Sequence, residues 1–142
     1  MIASWLRRWL NPPALPIHLQ RGQRGEKAAR EHLESAGLRF LAANYRGGGG
    51  EIDLVFEDAH CLAFIEVKTR SAGQWLRPAA AVNRRKRRLI SQAVLHYLRA
   101  INKPQVRVRI DIVEVILTND QVSEIRYLPN AFPLHEERPG QY

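Results

Sequence analysis

Asp53 and the triplet Glu66-Val67-Lys68 stand thirteen residues apart in a chain of 142. Two carboxylates brought together repel each other, and structure alone gives little reason to pair them. A divalent cation gives one. Mg²⁺ or Mn²⁺ takes oxygen ligands and often needs only one or two protein carboxylates, with water and substrate phosphate supplying the rest. A lysine beside such an ion can stabilise a pentacovalent phosphate, or position and deprotonate an attacking water. Asp53 and Glu66 are therefore the candidate metal ligands, and Lys68 is their catalytic partner.

The elements that must position these groups are two strands. EIDLVF (Glu51–Phe56) and CLAFIEVKTR (Cys61–Arg70) flank the polar stretch EDAH and read as a hairpin. A loop over Asp58–Cys61 sets Glu57 opposite Leu62, which places Asp53 opposite Glu66 and Glu51 opposite Lys68. Alternation then gathers Glu51, Asp53, Glu66 and Lys68 on one face. The competing reading is a solvated sheet face with a Glu51–Lys68 ion pair. The neighbours argue against it: Ile52, Leu54, Val55, Phe56, Phe64, Ile65 and Val67 are apolar on both faces, so the hairpin is central and covered. Charges there are costly unless paired or metal-bound.

Around the hairpin, GQRGEKAAREHLESAG reads as a helix with Ala28, Ala29, Leu33 and Ala36 on its apolar stripe and Gly37 as its stop. Leu38–Arg46 reads as a strand. A loop, SAGQWLRP, leads to a long helix expected to begin at or after Pro78 and to run to about Ala100, with Val82, Leu89, Ala93, Tyr97 and Ala100 at helical spacing. Gln105–Leu117 is the clearest strand, and QVSEIRYL is a last one. The pattern predicts an α/β fold: a mixed central sheet of about five strands flanked by helices. Residues 1–20 read as a flexible leader, 21–128 as the domain and 129–142 as a loose tail.

Lys plus Arg number 22 against 14 acids, a net charge of +8 and a pI near 10.4. That excess points to nucleic acid as the partner. NRRKRR (Asn83–Arg88) concentrates it at the start of the long helix. A basic cluster there opposes the helix dipole, which favours a phosphate-contact role for Arg84, Arg85, Lys86 and Arg88 over a merely solvated face. Arg70, two residues beyond Lys68, is a further phosphate candidate, set against a solvent-facing strand end. Trp75 reads first as an anchor of its loop, with base stacking as the alternative. The histidines at 18, 32, 60, 96 and 135 have no ligand spacing.

Other classes are excluded more simply. Cys61 is the only cysteine, so neither an internal disulfide nor a multi-thiolate site can form, which fits a cytoplasmic setting. MIASWLRRWLNPPALP has no run long enough for a membrane span. Its Trp5, Leu6, Trp9 and Leu10 share one face of a short helix beside Arg7 and Arg8, so a frayed extension is the first reading and a membrane-surface or partner-docking turn the alternative. The glycines of RGGGGEIDLVF do not make a P-loop, because Glu51 follows the fourth and no Gly-Lys-Ser/Thr appears. They read as a pliable turn that leaves room for substrate beside Asp53.

Asp53 with Glu66-Val67-Lys68 resembles the D…(D/E)-x-K signature of the restriction-endonuclease-like nucleases. The longer series RGEKAAREHLESAG, NYR, GEIDLVF, FIEVKTR, a lysine-bearing helix and RIDIVEV resembles the bacterial YraN-like family (UPF0102), over about Gly22 to Leu117. That family looks related in fold to archaeal Holliday-junction resolvases. The resemblance implies a restriction-endonuclease-like core, metal binding by Asp53 and Glu66, and a catalytic role for Lys68. It further implies that Glu26 approaches the same Mg²⁺ or Mn²⁺ and that Glu51, within GEID, assists through water. Lys86 matches the family's helix lysine, and Asp111 matches an acidic position here read as structural. The implied activity is a metal-dependent endonuclease acting on DNA, structure-selective or non-specific. The alternative is a non-catalytic nucleic-acid-binding module of the same fold. Resolvase-like relatives act as dimers, so a homodimer is among the assemblies implied.

Overall fold

The computed structural model describes residues 14–73, 81–103 and 105–135. Trp5, Leu6, Trp9, Leu10, Trp75 and Pro78 lie outside the described residues. The elements run in the expected order: α1 (Ile17–Ser35), β1 (Arg39–Gly47), β2 (Gly50–Asp58), β3 (Cys61–Ser71), α2 (Arg84–Ala100), β4 (Arg107–Thr118) and β5 (Gln121–Phe132). The strands form one five-stranded sheet in the order β1-β2-β3-β4-β5. Only β3 and β4 are parallel. This is the expected α/β architecture, a mixed sheet consistent with a nuclease-like core. No helix among the described residues is long and apolar enough to cross a membrane.

One helix packs on each face. Ala29 and Leu33 of α1 join Leu54, Phe56, Ala63, Ile65, Val113, Val115 and Leu117 in one buried cluster. Ile90, Ala93, Val94 and Leu98 of α2 join Ile52, Val55, Phe64, Ile110 and Ile112 in the other. β4, covered on both faces, is buried from Ile110 to Leu117, as suits a central strand.

α1 begins before Gly22, at Ile17. It ends as expected, because Gly37 adopts φ +94° while its N–H reaches Glu34 O and that of Leu38 reaches Leu33 O. This pair of bonds is the Schellman arrangement, and Leu33 and Leu38 supply its apolar contact. α2 begins at Arg84, after Pro78 as expected. The extended Asn83 accepts the Lys86 N–H on its side chain and so caps the helix. The buried stripe of α2 is Ile90, Ala93, Val94 and Leu98, whereas Leu89 and Tyr97 are only partly covered and Ala100 is exposed. β5 runs past Pro129, into the stretch expected to be loose, and ends at the buried Phe132. An edge strand tolerates proline because one row of its N–H groups needs no partner.

Two glycine contacts set how closely the helices approach. A Cβ at Gly25 of α1 would lie 1.8 Å from Thr69 Oγ1, so α1 sits directly on β3. A Cβ at Gly50 would lie 1.9 Å from Leu89 O, and one at Gly48 would lie 2.8 Å from Gln92 O. Part of the space freed by the glycine run is filled by the backbone of α2, while Gly47, Gly49 and Gly50 line a second cavity of about 540 Å³ together with Arg46, Glu51 and Lys86.

Candidate active site

The hairpin register is the expected one where it is paired: Glu57 faces Leu62 and Asp58 faces Cys61. The ladder ends at Leu54↔Ile65, however, and β2 continues its pairing only with β1. Asp53 and Glu66 are therefore not ladder partners. The Asp53 side chain takes over the bonding lost there: its Oδ2 accepts the Val67 N–H at 2.7 Å. Nor is there a Glu51–Lys68 ion pair among the described residues. Glu51 lies 3.6 Å from Arg46 Nε, and Lys68 Nζ lies 3.3 Å from Glu66 Oε1.

The parting of the strands has a local cause. Strict alternation would keep Ile52 and Leu54 on one face, yet Ile52 packs under α2 and Leu54 under α1. The switch falls at Asp53. Opposite it on β1 is Asn44, between the pairs Ala43↔Leu54 and Tyr45↔Ile52, with φ at 51°. Asparagine tolerates this left-handed conformation better than most residues. The kink turns both strands and frees Asp53 from the regular pleat.

The gap opens into a cleft of about 360 Å³ lined at one end by Glu26, Asp53 and Glu66. α1 delivers Glu26, and the Gly25–Thr69 contact fixes its depth. Glu66 is buried, and its Oε1 lies 3.3 Å from both Lys68 Nζ and Lys86 Nζ. Burial pushes the Asp53 carboxyl up to about 8, with Glu66 and Glu26 adding repulsion and the Val67 N–H and Lys86 opposing it. Glu26 is raised by burial, then by Glu51 and Glu66, against a hydrogen bond from Asn44. Glu26, Asp53 and Glu66 thus repel one another, with Glu51 acting on Glu26, and a bound cation relieves such repulsion.

Among the described residues, no group of three or more His, Cys, Asp or Glu is arranged to hold a metal ion. The fit is that of a site with two carboxylates, Asp53 and Glu66, in which a hard cation completes its shell with water and phosphate. Both are oxygen donors, and the raised Asp53 carboxyl is the group that gains most from a nearby cation.

The other predicted residues divide. Lys86 faces inward to Glu66, whereas Arg84, Arg85 and Arg88 are exposed. Arg70 lines the cleft but is buried, with its Nε 3.5 Å from Glu114 Oε2. Glu114 is itself buried and also takes Arg126 at 3.1 Å. The sequence reading missed Glu114, Asn44, Arg21 and His18. Asn44 carried a usable signal, since asparagine within a strand pattern marks a kink. Asp111 is structural, as expected: it is fully buried and accepts from Arg109, Tyr127 and the Asn130 N–H.

Residues 25–115 match the uncharacterised protein family UPF0102. The chain belongs to UPF0102. A UPF0102 protein of Porphyromonas gingivalis is 42% identical over 120 residues, covering 82% of this chain and 87% of its own length. One from Trichlorobacter lovleyi is 37% identical, covering 80% and 90%. One from Chlorobaculum tepidum is 39% identical, covering 78% and 90%. The UPF0102 match spans Glu26, Asn44, Asp53, Glu66, Lys68, Lys86 and Glu114, so the whole acidic end of the cleft falls within it, while His18 and Arg21 precede it.

Proposed function

We propose that the protein is a metal-dependent endonuclease that hydrolyses phosphodiester bonds in DNA, with Asp53 and Glu66 as ligands for Mg²⁺ or Mn²⁺. The observation that carries this reading is the Asp53 carboxyl, raised by burial and by Glu66 at the point where β2 leaves β3. When bound, the ion would lower the pKa of a water and neutralise charge on the scissile phosphate.

The chain's own groups do the rest. The Val67 N–H holds Asp53 Oδ2, so the carboxylate is oriented before substrate arrives. Lys68 Nζ, held beside Glu66 Oε1, is placed to orient a water or to stabilise negative charge at the phosphorus. Glu26, raised in the same cleft, can hold a proton at its carboxyl or take one from water. Arg84, Arg85 and Arg88 on the exposed start of α2 supply sequence-independent grip on the backbone. A cytoplasmic location is part of the same proposal.

The test compares cleavage of duplex, branched and single-stranded DNA and of RNA, with Mg²⁺, Mn²⁺ or EDTA, by wild type and Asp53→Asn. Metal-dependent cleavage lost in the variant supports the reading. Absence of cleavage on every substrate ends it. One observation favours a second reading, a nucleic-acid-binding module without catalysis: Lys68 and Lys86 together already neutralise Glu66. Metal-independent binding with no cleavage would be its signature.

A further inference from the structure

The cleft has two ends of opposite character. Its far end, away from Asp53 and Glu66, is lined by His18 and Arg21 of α1 and by Arg70 and Ser71 at the end of β3. Arg70 is buried and turned to Glu114 on the α2 face of the sheet, so the cations on the α1 side of this end are Arg21 and His18. Arg21 donates through NH2 to Ser71 Oγ. Its Nε is buried with no hydrogen-bond partner, because Asp120 Oδ1 stands 3.9 Å away, beyond bonding distance. A guanidinium donor is rarely left orphaned in a protein wall, and such a group calls for a ligand acceptor.

We infer that Arg21, His18 and Ser71 form a phosphate subsite for a backbone phosphate of the same nucleic-acid strand whose scissile phosphate lies at the acidic end. The inference rests on the nuclease reading for the identity of the strand, and adds a residue set that the signature motif does not contain. The chemistry fits. Arg21 keeps about a third of its side chain exposed beside the hydroxyl of Ser71, and arginine suits phosphate because its planar fork matches two oxygens. With acids at one end and cations at the other, the cleft sets a direction: metal and scissile phosphate at Asp53, the adjoining phosphate at Arg21.

The experiment measures binding, not turnover. Asp53→Asn protein in EDTA is titrated with fluorescent hexathymidylate at several salt concentrations, alone and combined with Arg21→Ala or His18→Ala. His18 is exposed, so its removal leaves the fold intact, and melting temperatures check Arg21→Ala. Arg21→Ala should weaken binding about tenfold and reduce the salt slope by about 0.7, the value for one lost contact on single strands. His18→Ala should weaken it less. Unchanged affinity and slope in both variants would overturn the subsite. Inorganic phosphate should compete with the oligonucleotide for Arg21-containing protein only. Phosphate that raises the melting temperature without competing would mark a free-anion site and overturn the backbone assignment. Cleavage with wild-type KM in Arg21→Ala would end the subsite but not the nuclease, whereas Arg21-dependent binding with no cleavage by wild type would do the reverse.

Discussion

Asp53 Oδ2 accepts the Val67 N–H at 2.7 Å, on the strand that β2 has just left. A side chain replaces a backbone acceptor there, so the sheet parts without orphaning the amide. The same bond aims one carboxylate oxygen and leaves the rest of the group to the cleft. Fold and site are therefore joined at a single contact.

The first consequence concerns pH. The Asp53 carboxyl is held near 8, above its ordinary value, so between about pH 4 and 8 the folded chain binds more protons than the unfolded one. Stability from this group therefore falls as pH rises through that window. Asp53→Asn keeps an acceptor for Val67 and removes the charge. In EDTA the variant should exceed wild type by on the order of 2 kcal/mol at pH 8, with the gap closing near pH 4. Urea denaturation at the two pH values checks this. Mg²⁺ should raise wild-type stability at pH 8 and leave the variant unmoved.

Lys68 and Lys86 share Glu66 Oε1, each at 3.3 Å. Removing either leaves the buried carboxylate one partner, at about 1 kcal/mol; removing both leaves none and should cost more than the sum by about 1–2 kcal/mol. A double-mutant cycle measures the coupling. Additive losses would mean that the two lysines act on Glu66 independently.

The glycines of α1 give a matched pair. A Cβ at Gly22 would meet nothing within 4 Å, whereas one at Gly25 would meet Thr69 Oγ1 at 1.8 Å. Gly22→Ala should stabilise by about 0.5–1 kcal/mol, and Gly25→Ala should destabilise by about 1–3 kcal/mol. Thermal unfolding separates them. Because Gly25 also sets the depth of Glu26, its variant should lose activity beyond its loss of stability.

Replacing Arg84, Arg85 and Arg88 together should lower the slope of log affinity against log salt for duplex DNA by about 2.7, at 0.9 per phosphate contact. The slope, read by anisotropy in EDTA, is independent of cleavage. An unchanged slope would place the duplex elsewhere.

Much of this architecture could be read from residue order, since Gln105–Leu117 and the hairpin strands are apolar on both faces and loop chemistry set their register. Asp53, Glu66 and Lys68 were legible as a set, but the pairing expected of them was not formed, because the β2–β3 ladder ends at Leu54↔Ile65. What escaped reading depended on contacts between distant segments. Glu114 meets Arg70 only because β3 and β4 lie parallel, a pairing that local periodicity cannot express. Asn44 reverses a strand face through one positive φ, which alternation alone does not foresee. The start of α2 falls after Pro78, as expected, and its exact place is set by the cap Asn83, whose side chain takes the Lys86 N–H. Three of the four glycines, Gly47, Gly48 and Gly50, gained a further role as the surface on which α2 rests.

The central claim is that Asp53 and Glu66 hold a cation that acts on a phosphodiester. Isothermal titration of Mn²⁺ into nuclease-free preparations of wild type, Asp53→Asn and Glu66→Gln, paired with cleavage of branched and single-stranded DNA by the same samples, tests it most directly. The account predicts Mn²⁺ binding by wild type, at least roughly tenfold weaker binding in each variant, and cleavage only where the ion is bound. Equal binding in all three proteins, or cleavage that persists in Asp53→Asn, would contradict it.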